Sequence, residues 1–142
     1  MRDLSGDVVG LQRIYLRSDG GGKANLPQAK LSLGKVTGGA IRLGDLDASG
    51  AVTVCEGPED GLSLLETMGG PVWVAAGATF LPAMQFPPEI RSIIIGADND
   101  EAGAMAADKA AKVFAKRGLA VRIIHPLTGF KDWNDELRGV RS

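Results

Sequence analysis

The sequence predicts an α/β fold: a roughly four-stranded parallel sheet flanked by helices, preceded by a small antiparallel β subdomain. From residue 51 onward, short apolar runs rich in β-branched residues alternate with helical segments, and this alternation is typical of parallel sheets with right-handed crossovers. Before residue 51, three short β-type pieces separated by glycines occur, without any helical period. We therefore predict an N-terminal β subdomain at 1–50 and an α/β domain at 51–142.

Four apolar runs supply the predicted parallel strands, and helix signals separate them. The runs are "AVTVCE", "PVWVAAG", "RSIIIGADND" and "LAVRIIHP". A first helix is predicted from Pro58, a favoured residue at the first helical position, with Leu62, Leu65 and Met68 on one face. The alanine-rich stretch "EAGAMAADKAAKVFAKRG" predicts a second helix that ends at Gly118, and "WNDELRG" a short third one.

Composition excludes several classes of protein. The chain has 142 residues, a net charge of −1 and a single cysteine, so it has neither a disulfide framework nor a cysteine-based zinc site. No apolar run approaches the roughly 20 residues that cross a bilayer, and no signal-peptide pattern is present. We expect a cytoplasmic protein without a membrane partner. Because the chain is not basic, any nucleic acid must be bound by a local patch or through a metal ion.

Acidic residues follow three of the four predicted parallel strands. Glu56 follows the first strand, Asp98 and Asp100 in "GADNDEAG" follow the third, and Asp132 in "KDWND" follows the fourth. Because the carboxyl ends of parallel strands lie on one edge, these side chains are expected to converge there. Converging carboxylates repel one another, and a hard divalent cation such as Mg²⁺ or Mn²⁺ relieves that repulsion. Glu59, by contrast, is interpreted only as an acid in the first turn of a helix.

Residues 52–136 resemble the Toprim domain, a metal-binding fold shared by primases, topoisomerases and some nucleases. The resemblance rests on "EG" at 56–57 after the first strand and "DND" at 98–100 after the third. "EGPED" and "KDWND" are more specifically similar to the bacterial and phage-type primase branch. The N-terminal stretches "GLQRIYL" and "AKLSLGK" resemble the small subdomain that precedes Toprim in primases.

This resemblance implies a primase-like nucleotidyltransferase of a phage, plasmid or other mobile element, which makes RNA primers on single-stranded DNA. Its implied catalytic residues are Glu56, Asp98 and Asp100, and its implied ligands for Mg²⁺ or Mn²⁺ are Glu56, Asp60, Asp98, Asp100 and Asp132. The residues expected to contact nucleic acid or nucleotide are Lys30, Lys35, Arg13, Lys23 and Asn134. The implied partners are a single-stranded DNA template, ribonucleotides, and a zinc-binding module and a helicase in cis or in trans.

Three other functions share part of this pattern. A Toprim nuclease uses the same acids with water as the nucleophile, and a non-catalytic Toprim module binds nucleic acid without chemistry. A haloacid-type phosphatase also carries D-x-D, but after the first strand of its sheet, whereas here it follows the third. Since neither a zinc ribbon nor a helicase domain is encoded in these 142 residues, we expect the isolated chain to polymerise poorly.

Overall fold

Two β-sheets and three α-helices make up the computed structural model, which describes residues 1–141. The strands are β1 (Gly10–Ile14), β2 (Lys30–Gly34), β3 (Ile41–Leu43), β4 (Ala51–Cys55), β5 (Val72–Val74), β6 (Ser92–Gly96) and β7 (Ala120–Ile124). The helices are α1 (Pro58–Met68), α2 (Glu101–Lys116) and α3 (Trp133–Arg138), with a 3₁₀ turn at Leu81–Ala83. None of the helices within these 141 residues has the length and apolar character required to cross a bilayer.

The larger sheet has the strand order β3-β5-β4-β6-β7. Its last four strands are parallel, which confirms the predicted fold class, and β3 is antiparallel at one edge. The sequence had indicated that β3 belongs with the N-terminal β pieces. It pairs instead with β5, Ile41 opposite Val74, because Ile41 and Leu43 pack against the apolar cluster under α1.

The smaller sheet is the antiparallel pair β1–β2, in which Leu11 lies opposite Leu33. Successive residues of a strand point to opposite faces, so only alternate side chains of this pair can reach the large sheet. Gln12 does so: its side-chain amide donates a hydrogen bond of 3.1 Å to the carbonyl oxygen of Ala76, just beyond β5. The small sheet is thereby fastened near the carboxyl end of the large one.

The core lies on both faces of the large sheet. On one face, Phe114 of α2 belongs to an apolar cluster with Ile93 and Ile95 of β6. On the other face, Leu64 of α1 and Trp133 of α3 cluster with the side chains of β5. A sheet covered on both faces favours central strands that are largely apolar, and the acidic side chains accordingly lie beyond the strand ends.

The buried face of α1 differs from the one that the spacing of its large residues indicated. Gly61 and Leu64 are buried, whereas Leu62 and Met68 are 57% and 42% exposed. Gly61 explains the difference, because a Cβ atom there would overlap the Cγ2 methyl group of Val74. The helix contacts the sheet through a residue without a side chain, and a pattern based on large apolar residues cannot reveal such a contact.

Replacing Gly61 by alanine is therefore expected to destabilise the fold, although alanine favours helices more than glycine does. Overpacking of this kind costs about 1–3 kcal/mol. Thermal unfolding of Gly61→Ala measures the loss, and Leu62→Ala, which truncates an exposed neighbour on the same helix, should change stability by less than about 0.5 kcal/mol. An unchanged or higher melting temperature for Gly61→Ala would show that α1 does not pack this closely.

Candidate functional site

A cleft of about 750 Å³ lies between the small sheet and the carboxyl end of the large one. It brings together all the carboxylates expected from the sequence to bind metal: Glu56, Asp60, Asp98, Asp100 and Asp132. Lys30, at the start of β2, and Lys23, in the glycine-rich connection between β1 and β2, line the same cleft. The cleft therefore contains both acidic and basic side chains.

Two of the acids are positioned by the central strands. Glu56 directly follows β4, and Asp98 is the second residue after β6. These two strands are adjacent and parallel, with Cys55 opposite Gly96. Their following residues therefore leave the sheet side by side, as the sequence predicted. Gly57 keeps this region open, because a Cβ atom there would lie 3.2 Å from Asp60 Oδ2 and 3.7 Å from Lys30 Nζ.

Two further acids are fixed by helix capping. Asp100 is the N-cap of α2, and its Oδ1 accepts a hydrogen bond of 2.7 Å from the backbone N–H of Gly103. Asp132 is the N-cap of α3, and its Oδ1 accepts one of 2.8 Å from the N–H of Asp135. N-caps stabilise helices, and a second carboxylate oxygen remains for another partner. Asp100 is therefore both a helix cap, its simplest interpretation, and part of the cleft.

Burial and mutual repulsion raise the proton affinity of this acidic cluster. Burial first, and then the neighbouring charges of Asp60, Glu56, Asp132 and Asp100, raise the pKa of Asp98 to about 7. Burial, followed by the charge of Asp132, raises the pKa of Asp60 to about 6. A cluster that holds protons near neutral pH is an environment in which a cation would be favoured over the proton.

The donor chemistry of the cluster fits a hard divalent cation. All its donors are carboxylate oxygens, which Mg²⁺ and Mn²⁺ prefer. Burial first, and then the charges of neighbouring acids, raise the pKa values of Asp60 and Asp98. Within residues 1–141, however, no group of three acidic, histidine or cysteine side chains is already gathered around one point. The acids would therefore have to rotate toward a common centre to bind an ion.

The lysines are held by an acid that the sequence analysis had not assigned to the site. Glu59 forms ion pairs of 3.0 Å with Lys23 and 3.1 Å with Lys30. Burial acts to raise the pKa of Glu59, but hydrogen bonds from its own backbone and from both lysines outweigh burial and lower it. The bridge joins α1 to the small sheet, and no local sequence signal indicates it because the partners are 29 and 36 residues away.

Asn134 also lines the cleft, but its polar groups connect two helices. Its backbone N–H donates a hydrogen bond of 3.2 Å to Asp60 Oδ1. Its side-chain amide donates one of 3.3 Å to the hydroxyl of Ser63. The structure thus gives Asn134 a role in holding α3 against α1 and in orienting Asp60.

Arg13 and Lys35 lie outside the residues that line the cleft. Arg13 alternates with Gln12, which faces the large sheet, so its guanidinium is on the opposite face, 5.8 Å from the ring centroid of Tyr15. Lys35 follows β2 at the end opposite Lys30. Their expected contacts with nucleic acid would need a substrate that extends beyond the cleft.

The structure adds basic residues that sequence reasoning did not assign. Lys131 and Arg138 line the cleft, as does the glycine turn 20–22. Lys131 directly precedes Asp132 in "KDWND". Its position next to an acid already assigned to the site could have indicated that Lys131 also lies in the cleft. Arg138 is four residues after Asn134 on α3, and this spacing places the two on one helix face.

The raised pKa of Asp98 predicts a pH dependence of stability. At pH values between 3.8, the ordinary pKa of this carboxyl group, and about 7, Asp98 in the folded protein holds a proton that the unfolded chain has released. The free energy of unfolding therefore falls as the pH rises through this window. Without divalent metal, Asp98→Asn should flatten that fall and stabilise the protein at pH 8 by on the order of 1–2 kcal/mol, a figure discounted for solvent contact. Melting curves recorded between pH 4 and 8 in the presence of a chelator test this prediction. The control is Asp108→Asn, a substitution of an exposed residue of α2. Parallel curves for Asp98→Asn and the wild type would contradict it.

Comparison with known families divides the chain into two matched regions. A Toprim domain model matches residues 51–140, which is 90 of the 142 residues. A domain of unknown function (DUF7146) matches residues 1–43. No curated protein sequence matches the chain.

Solved primase structures share the fold over nearly the whole chain. The primase fragment of the bacteriophage T7 primase-helicase protein is 22% identical, with a TM-score of 0.59, and the match covers 98% of this chain and 56% of that one. A DNA primase domain from Pseudomonas aeruginosa is 18% identical, with a TM-score of 0.63 and coverage of 100% and 46%. The DnaG primase catalytic domain bound to single-stranded DNA is 19% identical, with a TM-score of 0.61 and coverage of 98% and 46%.

This chain therefore spans about half the length of the solved structures that it matches. At these identities the likeness shows a shared fold, and the small sheet is included because the matches cover 98% of the chain or more. The family match extends over more than half of the sequence and includes each acid of the cleft. The chain belongs to the Toprim domain family.

Proposed function

We propose that this chain is the catalytic core of a primase-like nucleotidyltransferase, which makes RNA primers on single-stranded DNA with Mg²⁺ or Mn²⁺. The observation that carries the proposal is the cleft between the two sheets, which is lined by six carboxylates and by four basic side chains. The family match and the primase folds support it, because the likeness includes the small sheet as well as the Toprim sheet.

The acids are the proposed cation ligands. Glu56, Asp98 and Asp100 would form the principal set, with Asp60 and Asp132 adjacent to it. A bound divalent cation would neutralise triphosphate charge and favour ionisation of the attacking 3′-hydroxyl. The capping hydrogen bonds hold one oxygen each of Asp100 and Asp132 and so limit how far these side chains turn.

The lysines are the proposed phosphate contacts. Lys23 and Lys30 line the same cleft as the acids, where they could contact phosphates of the template or of the incoming nucleotide. Glu59 holds both ammonium groups in place at 3.0–3.1 Å. Glu56 directly follows β4, and we assign it either to the cation or to acceptance of the hydroxyl proton.

The proposed partners follow from the part of a primase that this chain represents. One of the structures with the same fold is a fragment of a primase-helicase protein, and another is bound to single-stranded DNA. We propose that this chain likewise acts on single-stranded DNA and ribonucleotides. We further propose that it works with a template-reading zinc module and a helicase, supplied in the same chain or by separate proteins.

Metal binding is the first test of this proposal. Titration with Mn²⁺, followed by electron paramagnetic resonance, should show binding that weakens at least about tenfold in the Asp98→Asn, Asp100→Asn double variant, since two ligand charges are lost. Asparagine at 100 keeps the N-cap of α2, so the helix should persist. Asp108→Asn should bind as the wild type does. Equal affinity in the double variant would remove these acids from the site.

Activity is the second test, with labelled single-stranded DNA, ribonucleotides and Mn²⁺ in one reaction. The chain alone should extend slowly or not at all, and extension should appear when a template-reading zinc module is supplied, either in trans or fused to the chain. That extension should fall at least about a hundredfold in Glu56→Ala, because an activating group is lost. DNA cleavage that depends on Glu56, without extension in any form of the protein, would assign the chain to the Toprim nucleases. Metal and DNA binding without either reaction would make it a non-catalytic module.

A further inference from the structure

Asn99, the middle residue of the D-x-D turn, fastens that turn to the connection between β7 and α3. Its side-chain amide donates hydrogen bonds of 3.0 Å to the carbonyl oxygen of Pro126 and 2.8 Å to that of Phe130. Its backbone N–H donates one of 2.8 Å to the carbonyl oxygen of Lys131. One residue thus binds both ends of the segment 126–131.

The segment 126–131 depends on such an external restraint. It lies outside every helix and strand of the structure, and Gly129 within it has a φ of 96°, in the region that favours glycine. A further restraint comes from Glu136, whose Oε2 accepts a hydrogen bond of 2.8 Å from the N–H of Leu127. Asp132 follows the segment directly, so the position of the segment sets where α3 and its capping carboxylate begin.

The residue type at 99 matches this task. A side-chain amide offers two N–H donors, which is what two carbonyl acceptors require. An ionised aspartate of the same size has no donor and would present negative charge to the two carbonyl oxygens. Glycine or alanine would leave both carbonyls without this partner.

We propose that Asn99 is a positioning residue, which holds the segment 126–131 against the D-x-D turn and thereby places Lys131 and Asp132 in the cleft. The inference deepens the proposed function, because it assigns to that same site the residue that joins its two acidic elements. Asn99 acts through the backbone of the segment and not by contact with a substrate or a cation.

Hydrogen exchange tests the restraint without depending on activity. In Asn99→Ala and in the isosteric Asn99→Asp, amide exchange in residues 127–132 should accelerate about five- to tenfold, since two side-chain hydrogen bonds to the segment are lost, one partly buried and one exposed. Exchange in β4 and β6 should remain as in the wild type. Gln85→Ala, which removes a side-chain amide bond to the carbonyl of Ala83 elsewhere in the protein, should leave exchange in 127–132 unaffected. Unchanged exchange in 127–132 in both Asn99 variants would overturn the proposal.

A double-mutant cycle on Mn²⁺ affinity tests whether the effect passes through Asp132. Asn99→Ala should weaken binding about three- to tenfold in the wild-type background and have little effect in Asp132→Asn, which keeps the N-cap of α3. Additive losses would overturn the link to Asp132. If the wild-type chain binds no Mn²⁺, the metal site of the proposed function is rejected, whereas the exchange result still decides whether Asn99 restrains the segment.

Discussion

Repulsion among carboxylates at the carboxyl end of the large sheet is the constraint on which the site depends. Two buried parallel strands bring Glu56 and Asp98 together, and the fold does not neutralise them: the pKa of Asp98 is raised to about 7, by burial first and then by its acidic neighbours. Helix N-termini bind two further acids, and lysines line the same cleft. The fold tolerates an unfavourable charge cluster because its core lies elsewhere, on the two faces of the sheet.

The convergence of the acids could be predicted because it follows from topology alone. Once the strands are parallel, the residues after them share an edge, and the adjacency of β4 and β6 then brings Glu56 and Asp98 close together. The lysines were less predictable. Lys30 and Arg13 belong to the same antiparallel pair, yet only Lys30 lines the cleft, because the face of each strand that meets the large sheet depends on the packing of the pair. Strand β3 shows the same limit, since its pattern indicated a strand but not its partner.

The features that sequence reasoning missed depend on contacts between distant segments. The sequence explained Glu59 as an acid near a helix N-terminus. Only its ion pairs with two lysines show that it also joins α1 to the small sheet. Gly61 has no side chain, so it does not contribute to the spacing of apolar residues from which a buried helix face is predicted. Asn99 is the middle residue of the D-x-D motif, and that motif specifies only the two aspartates; the hydrogen bonds of Asn99 are seen only in the structure. In each case the informative partner lies more than twenty residues away or on another element.

The close packing of α1 against the sheet determines the position of Asp60. Asp60 directly precedes Gly61, so the height of the helix above β5 also fixes the height of this carboxylate. A helix resting one methyl group farther from the sheet would carry Asp60 outward by about 1 Å, whereas ligand distances around an ion vary by only about 0.2 Å. The position of this carboxylate therefore depends on the absence of a side chain at the next residue, where α1 meets β5.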